Sequence, residues 1–331
     1  MSAPLLALES SCDDTCAAVV AGDATILSNV ISSQGVHDAY GGVVPEIAAR
    51  RHLELVGAVV DDALAQAGTG LEDLGGIAVT QGPGLVGALL VGLSAAKAIA
   101  VAGGLPLFAV DHLQGHVSAS LAAPDPFEPP FVALVASGGH TLVAAVHEVH
   151  GFELLGETID DAAGEAFDKG ARMLGLGFPG GPALERLAKE GDPEAFSFPV
   201  ADGVGGMDFS FSGVKTALLY AIRDLGPQAT AERAPDLAAS YQEAIVRALT
   251  GRVEQALEST GLGRVAIGGG VAANGPLRER IAALGADWHA PGMALCTDNA
   301  AMIGIAALAM EPLTAGAAAA LEPYATSRGG A

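Results

Sequence analysis

Residues 4–20 read PLLALESSCDDTCAAVV, and this stretch predicts how the first domain begins. Pro4 to Glu9 is an apolar run typical of a buried strand, and Cys16 to Val20 predicts a second strand. The turn between them offers backbone N–H groups and hydroxyls to a phosphate or an adenylate. Asp13 and Asp14 could hold a metal ion or polarise a nucleophile there, although simple solvation also explains acidic residues in a turn.

The same pattern occurs again 126 residues later. Residues 130–146 read PFVALVASGGHTLVAAV, so that Ala7 falls on Ala133 and Ser11 on Ser137. Both segments are predicted to be strand, small-residue turn and strand. A match at a constant offset indicates a duplicated domain, with two similar turns that could face each other across a cleft.

The boundary between the two copies is predicted in residues 123–130, which read APDPFEPP. Prolines at this density neither continue a helix nor pair in a central strand. We therefore expect one domain in residues 1–125 and a second in residues 131–331, with a helical and irregular insertion at about 150–230. The predicted helix near 298–310 could pack back on the first domain.

Composition limits the class of protein. The net charge is −22, and residues 1–168 carry 21 acidic side chains against three basic ones, whereas residues 169–331 carry 17 against 13. Such a surface repels phosphate backbones and by itself argues against a nucleic-acid partner. Three cysteines are too few for a disulfide framework, and the chain lacks a signal peptide and an uninterrupted apolar run of membrane-spanning length. We expect a soluble, cytoplasmic protein that does not bind a membrane.

A candidate metal site follows the apolar run Leu105 to Val110. The next residues, DHLQGH, place His112 and His116 four apart, on one face of a predicted helix. Two imidazoles on one face suit zinc or iron, although two ordinary surface histidines have the same spacing. Asp298, before the predicted helix Ala300 to Met310, is the best third ligand, but it could also be only the helix N-cap.

Glycine-rich turns provide candidate ligand sites. Residues 136–140 (ASGGH) offer approachable backbone and a hydroxyl, and residues 268–274 (GGGVAAN) allow a flat ring to lie against backbone, with Asn274 to bind it and to cap a helix. A tight turn with an Asn cap is the simpler alternative. The glycine turn at 81–87 matches neither the dinucleotide-binding fingerprint nor the P-loop spacing. Residues 207–215 (MDFSFSGVK) are predicted to be too irregular for the core.

Several motifs together resemble one known family. They are ESSCDDT (9–15), DHLQGH (111–116), ASGGHT (136–141), FDKGARMLG (167–175) with FPGGP (178–182), DFSFSGVKTA (208–217), GGGVAAN (268–274) and CTDNAAM (296–302). In this order they resemble the bacterial tRNA threonylcarbamoyl transferase family TsaD, long described as an O-sialoglycoprotein endopeptidase. The resemblance implies an α/β fold of the actin-like, sugar-kinase and heat-shock ATPase superfamily, with two ribonuclease-H-like domains around a nucleotide cleft.

The activity implied is an acyl transfer to tRNA. The threonylcarbamoyl group would pass from threonylcarbamoyl-adenylate to the exocyclic amine of the adenine 3′ of the anticodon, in tRNAs that read codons beginning with A, with release of AMP. A TsaC-like synthase would supply the adenylate. TsaB-like and TsaE-like partners would complete the tRNA-binding surface, with Arg50 and Arg51 contributing from this chain.

The resemblance also implies roles for single residues. His112, His116 and Asp298 match the ligands of one divalent metal ion, iron(II) before zinc, and Asp13 matches an acidic residue that matters for catalysis. The implied positions for substrate, an adenine nucleotide or the acyl-adenylate, are Val135, Ala136, Ser137, Gly138, Gly139, Asp168, Gly181, Glu185 and Asn274. The metal would act as Lewis acid and template.

Two alternatives remain open on the sequence. A small-molecule kinase of the same superfamily would use the same cleft, but a His-His-Asp site has no evident use in its chemistry. A non-catalytic scaffold member could lose the ligand residues without harm. A protease is disfavoured, because Leu113 stands where a helical metalloprotease has its glutamate base.

Overall fold

The computed structural model describes residues 3–40, 42–149, 151–177, 179–200 and 204–326.

The chain divides into two compact units. Unit 1 comprises Met1–Pro129, Glu148–Phe152 and Pro291–Ala331, and unit 2 comprises Pro130–His147 and Glu153–Ala290. Residues 291–326 therefore lie with unit 1, whereas the sequence alone placed them in the second domain and left the packing of one helix open.

The described residues form ten strands and eleven α-helices. The strands are β1 (Leu5–Glu9), β2 (Asp14–Val20), β3 (Ile26–Ser33), β4 (Gly76–Gly82), β5 (Leu107–Asp111), β6 (Phe131–Ala136), β7 (Thr141–Val146), β8 (Glu153–Glu157), β9 (Arg264–Gly268) and β10 (Asp287–His289). The helices are α1 (Pro45–Ala67), α2 (Val86–Gly103), α3 (His112–Ser118), α4 (Ala163–Met173), α5 (Gly180–Ala188), α6 (Ser212–Glu232), α7 (Ala234–Thr260), α8 (Gly275–Ala283), α9 (Met293–Cys296), α10 (Ala300–Ala307) and α11 (Ala315–Ala319).

Each unit contains a five-stranded sheet of the same topology. The order in unit 1 is β3-β2-β1-β4-β5, and that in unit 2 is β8-β7-β6-β9-β10. In both, the first strand runs antiparallel to the second and parallel to the fourth. Ala7 faces Ala18 in unit 1, and Ala133 faces Ala144 in unit 2, again 126 residues apart. The predicted duplication is thereby confirmed in strand order, direction and register.

Both faces of the first sheet are buried, which explains why its strands read as continuous apolar runs. Leu5 and Ala7 point into one cluster with α10, whereas Leu6 and Leu8 point into another with α1 and α2. All eight residues of α10 are buried. Because this helix is apolar on every side, it needs the face of the sheet as cover, and it therefore packs with unit 1.

The helices α1 and α7 begin and end at residues that favour helix ends. α1 has Pro45 in its first turn and ends at Gly68 in the left-handed conformation, with φ 64°. α7 begins at Ala234, has proline in its first turn, and ends at Gly261 with φ 69°. Proline lacks the N–H that a first turn leaves unpaired anyway, and glycine takes positive φ without a Cβ clash.

Helix α2 is unusually apolar for its exposure. By length and composition it could cross a membrane, with a mean hydropathy of 1.9, but only 33% of it is buried. Its buried side, with Leu93 and Ala96, packs on the first sheet. The ammonium of Lys97 donates hydrogen bonds to the carbonyl oxygens of Ala319 and Leu321, at 3.3 and 2.6 Å. These contacts are typical of a helix that packs in a globular unit rather than of one that crosses a membrane.

The prediction that residues 207–215 stay out of the core is wrong. Phe209 and Phe211 are both 1% exposed, and their rings stack with centroids 6.2 Å apart. Phe209 forms a bridge with Thr158, directly after β8, and α6 starts at Ser212. The segment is held by hydrogen bonds to distant residues rather than by regular strand pairing, so local periodicity did not reveal it. β8 itself pairs with β7 and belongs to the repeated sheet.

Candidate functional site

The two histidines lie on α3, which starts where β5 ends. Asp111 caps this helix, because its Oδ1 accepts hydrogen bonds from the N–H groups of Leu113 and Gln114 at 2.8 and 3.1 Å. His112 and His116 are both buried, which excludes the alternative of ordinary surface histidines. One turn of helix therefore places both imidazoles in the interior of unit 1.

A glycine lets α3, which carries both histidines, approach α10, which begins two residues after Asp298. A Cβ on Gly115 would lie 2.7 Å from the Cδ1 of Ile303 and 3.2 Å from the Cγ of Met302, both on α10. The N-cap of α10 is Asn299, whose Oδ1 accepts from the N–H of Met302 at 2.9 Å. Asp298 is therefore not the N-cap, and its carboxylate is directed at the histidines instead.

The three side chains have the spacing of metal ligands. Asp298 Oδ1 lies 3.2 Å from His116 Nε2 and 3.6 Å from His112 Nε2, and one ligand atom from each residue lies within 4.8 Å of the others. Atoms that bind one zinc or iron ion at about 2.1 Å lie roughly 3.0–3.4 Å apart. Two imidazoles and one carboxylate are also the donors of non-haem iron and catalytic zinc sites.

A buried histidine without a hydrogen bond supports this fit. Within the described part of the chain, neither ring nitrogen of His116 has a hydrogen-bond partner, and the 3.2 Å approach to Asp298 lacks hydrogen-bond geometry. Buried polar atoms are rarely left unsatisfied, because removing them from water costs free energy. A cation at the Nε2 would satisfy this imidazole.

Sequence reasoning missed Glu9, the last residue of β1. Its carboxylate is buried, and its Oε2 lies 2.9 Å from His112 Nδ1 and accepts a hydrogen bond from Thr80 Oγ1 at 2.5 Å. Burial lowers the pKa of His112, but the carboxylates of Glu9 and Asp298 outweigh burial and raise it to about 9. Burial acts to raise the pKa of Glu9, yet the charge and hydrogen bond of His112 hold it below its usual value.

A second missed residue is Tyr324, near the C-terminus. Its hydroxyl donates to Asp111 Oδ2 at 2.5 Å, so the carboxylate that caps α3 is held from both sides. The backbone N–H of Tyr324 also donates to the carbonyl of Gln81, 3.3 Å away at the end of β4. Neither contact has a signal in the local sequence, because each joins residues more than 200 positions apart.

Asp13 lies in the turn between β1 and β2, next to residues that fix the turn. His52, on α1, is completely buried; its Nε2 lies 3.0 Å from the carbonyl of Cys12 and its Nδ1 lies 2.8 Å from Thr15 Oγ1. The neighbours of His52 on α1, Arg50 and Arg51, are exposed. Burial, together with the neighbouring carboxylates, raises the pKa of the Cys12 thiol, which disfavours a nucleophilic thiolate.

In unit 2, two candidate turns lie side by side. Val135 faces Gly268 in the parallel register of β6 and β9, so both strands end at the same edge. Ser137 Oγ accepts from the N–H of His140 at 3.0 Å and thereby shapes its own turn. A Cβ at Gly138 or Gly139 would meet nothing within 4 Å. The exposed backbone at this edge of parallel strands is where α/β proteins bind ligands.

Close backbone packing joins the two turns. Gly269 has φ +84°, and a Cβ there would collide with the carbonyl group of Ala136. Asn274 caps α8, with its Oδ1 accepting from the N–H of Leu277 at 3.0 Å. Its amide nitrogen donates to Glu185 Oε2 at 3.2 Å and to Gln242 Oε1 at 2.9 Å. Asn274 therefore acts as cap, as expected, but its amide hydrogens are already engaged.

Asp168 and Gly181 meet at the start of α5. Asp168 Oδ1 accepts from the N–H of Gly180 at 2.8 Å, and burial raises the pKa of Asp168 against the effect of this contact. Gly181 has only Phe167 near its Cβ position, at 3.9 Å. Glu185 lies one turn further along α5, and a surface groove beside it is lined by Gln242, among others. Phe178, of the FPGGP motif, lies outside the described residues.

Comparisons with known sequences agree on one family. A family model for tRNA N6-adenosine threonylcarbamoyltransferase (TsaD) matches residues 25–305. A tRNA N6-adenosine threonylcarbamoyltransferase of Symbiobacterium thermophilum is 54% identical over 307 residues, which cover 91% of this chain and 90% of that protein.

Solved structures resemble the fold at low identity. HypF of T. kodakarensis has a TM-score of 0.63 at 16% identity and covers 93% of this chain and 48% of its own. Component A of the Acidaminococcus fermentans (R)-2-hydroxyglutaryl-CoA dehydratase has a TM-score of 0.56 at 15% identity and covers 93% and 97%. The actin-like α/β fold class predicted from the sequence is thereby confirmed.

We expect Asp14→Asn to stabilise the metal-free chain at neutral pH. Burial raises the pKa of Asp14 to about 6, and the charges of Asp298, Asp13 and Glu9 add to this effect. A carboxyl whose pKa is higher in the folded state loses stability as pH rises from about 4 to about 6, and the loss persists above that. Removing the charge should therefore add about 1–3 kcal/mol at pH 7.5 and roughly half of that at pH 5.

The measurement is urea unfolding at both pH values with a chelator present. Asp61→Asn, on an exposed position of α1, is the matched control. An equal gain at pH 7.5 and pH 5 would contradict the electrostatic explanation.

Proposed function

The chain belongs to the tRNA N6-adenosine threonylcarbamoyltransferase family, and we propose that unit 1 holds a divalent cation and that the glycine turns of unit 2 bind the acyl-adenylate. It is an acyltransferase that modifies the exocyclic amine of an adenosine in tRNA. The observation that carries the proposal is the set His112, His116 and Asp298, whose two histidines are buried and in which His116 has no hydrogen-bond partner among the described residues. We further propose that the acyl donor is threonylcarbamoyl-adenylate, that AMP is released, and that the target adenine is 3′ of the anticodon.

The chain's own residues would hold one divalent cation, iron(II) before zinc, because two imidazoles and one carboxylate leave open positions. Such a cation supplies Lewis acidity toward a carbonyl or phosphate oxygen. His112 and His116 would bind it through Nε2, since these atoms lie 3.6 and 3.2 Å from Asp298 Oδ1. Asp13, in the turn that His52 holds, takes the proton from the attacking amine.

The glycine turns of unit 2 would bind the adenylate. Val135 to Gly139 provide strand-end backbone, and Gly138 and Gly139 have open space where a Cβ would be. Asp168 and Gly181 stand at the start of α5, and Glu185 and Asn274 are hydrogen-bonded to each other. A bare backbone edge of this kind permits the close approach that a phosphate or a flat base needs.

We propose that partner proteins complete the tRNA-binding surface, because the chain is strongly acidic. With a net charge of −22, the isolated chain repels the phosphate backbone. Apolar side chains are also exposed on α1 and α2, with Leu53 71% and Val101 83% exposed. Exposed apolar surface of this kind marks protein interfaces. We propose that a TsaB-like protein covers it, that a TsaE-like protein joins the complex, and that a TsaC-like synthase supplies the adenylate in the cytoplasm.

The metal proposal predicts a stoichiometry. The wild-type chain should bind one divalent ion, and His112→Ala and Asp298→Ala should each lose it, because two remaining ligands hold a divalent ion weakly. Elemental analysis after gel filtration measures this directly. His147→Ala changes a histidine that is exposed and far along the chain, and it should keep the metal. If both ligand variants retain stoichiometric metal, the site is wrong.

Gly138→Val should abolish adenylate binding without unfolding the chain. A Cβ at this position meets nothing within 4 Å, so we expect the fold to accept valine, whereas a ligand against the backbone would collide with it. Calorimetric titration with a non-hydrolysable adenylate analogue provides the affinity. Gly263→Val, before β9 and equally open, is the control that should bind normally. Unchanged affinity in the Gly138 variant would refute the assignment.

Transfer and proteolysis are distinguished in one preparation. Purified protein with its partners, tRNA and threonylcarbamoyl-adenylate should produce modified nucleoside. His116→Ala should lose at least roughly 90% of this activity, because it removes one of the three proposed metal ligands. No cleavage of a glycoprotein is expected, because Leu113 is buried where a metalloprotease would need a general base. Proteolysis that disappears in the His116 variant would overturn this proposal.

A further inference from the structure

Glu9 meets three hydrogen-bond donors inside unit 1. The backbone N–H of Ser11 donates to Oε1 at 2.5 Å, and the hydroxyl of Thr80 donates to Oε2 at 2.5 Å. The third neighbour is the Nδ1 of His112, 2.9 Å from Oε2. The side chain of Glu9 is completely buried, so water does not compete for these contacts. An ionised carboxylate has only acceptor atoms and can accept from all three donors, whereas a protonated carboxyl or an amide would present a donor of its own to one of them.

This arrangement determines which ring nitrogen of His112 carries a proton. If Nδ1–H donates to Glu9, the neutral ring has an unprotonated Nε2, and this is the atom that lies 3.6 Å from Asp298 Oδ1. A histidine binds a metal only through an unprotonated nitrogen, so the tautomer decides whether His112 is a ligand. The Nδ1 of His116, by contrast, has no hydrogen-bond partner among the described residues.

We infer that Glu9 is a positioning residue, which fixes the tautomer and ring orientation of His112 so that its Nε2 binds a divalent metal ion. The inference rests on the metal centre proposed above and extends it by one residue. Carboxylates that hold a metal-binding histidine commonly contribute 10- to 100-fold to affinity for the ion, by orienting the ring and raising its basicity.

Glu9→Gln is the sharpest substitution, because it keeps the size and shape of the side chain. In one orientation its amide N–H₂ group faces the N–H of Ser11, so that two donors oppose each other. In the other orientation it donates to His112 Nδ1 and stabilises the tautomer whose Nε2 carries the proton. Either orientation disfavours the metal-binding form.

The experiment measures the affinity of the full-length metal-free chain for Co²⁺, by competition with a chromophoric chelator. Wild type, Glu9→Gln, His112→Ala and the exposed control Glu72→Gln are compared. We expect Glu72→Gln to match wild type, His112→Ala to lose binding, and Glu9→Gln to bind about 10- to 100-fold more weakly. The visible absorption bands of the bound Co²⁺ should also shift in Glu9→Gln, since they report ligand geometry.

The outcomes separate the two proposals. If wild type binds no Co²⁺, or His112→Ala binds as well as wild type, the metal centre itself is wrong. If His112→Ala loses the ion but Glu9→Gln retains wild-type affinity and absorption, only the role of Glu9 is refuted.

A second variant covers the case in which Glu9→Gln does not fold. Thr80→Val removes one donor to Glu9 and leaves the carboxylate in place. It should weaken Co²⁺ binding by less than Glu9→Gln, with the melting temperature of the metal-free chain as the test of folding. Because Thr80→Val leaves the carboxylate beside His112, the deciding variant is Glu9→Asp, whose side chain is one methylene shorter and withdraws the carboxylate from His112 Nδ1. Wild-type Co²⁺ affinity and absorption in a folded Glu9→Asp chain would contradict the inference.

Discussion

Parallel strand pairing is the constraint on which the site in each unit depends. In unit 1, β1, β4 and β5 run in the same direction, with Leu8 facing Val79 and Thr80 facing Val110. Their carboxyl ends therefore meet at one edge of the sheet, which carries Glu9, Thr80 and the start of α3. Residues separated by about 70 to 100 positions in sequence become neighbours there, because the register of the parallel strands aligns the strand ends that carry them.

The same constraint acts again in unit 2 with different chemistry. β6 and β9 are parallel, so the turn after Ala136 and the turn after Gly268 end at one edge. The first copy carries ionisable side chains at this edge, whereas the second copy carries glycines and a serine that shapes its own turn. The two copies thus share their backbone geometry, while their turn residues differ: ionisable side chains in one unit and bare backbone in the other.

Small residues make the close approaches that both sites require. Gly115 lets α3 lie against α10, and Gly304 lets α10 lie against β2, where a Cβ would be 2.7 Å from Val20 Cγ2. Asp298 reaches His112 and His116 only because these helices and the sheet are so closely packed. Polar contacts between residues far apart in the chain, such as that of Tyr324 with Asp111, then stabilise the N-terminus of α3.

The sequence by itself determined those features of this protein that appear as local patterns. The repeat at a constant offset, the strands around Ala7 and Ala133, the ends of α1 and α7, and the helical spacing of His112 and His116 are all local patterns, and the structure contains them. The choice of Asp298 also came from sequence, through its position in a motif. Local patterns are sufficient here because strand alternation, helix ends and side-chain spacing depend on neighbouring residues.

Only the tertiary structure decided which polar groups meet. It placed Glu9 against His112, made Asn299 rather than Asp298 the helix cap, engaged the amide of Asn274 with Glu185, and buried Phe209 and Phe211 in a segment without regular periodicity. These contacts join residues far apart in the chain, and their partners depend on strand register and helix packing. A hydrogen bond or a buried ring carries no periodic signal, so its partner becomes known only when the chain is folded.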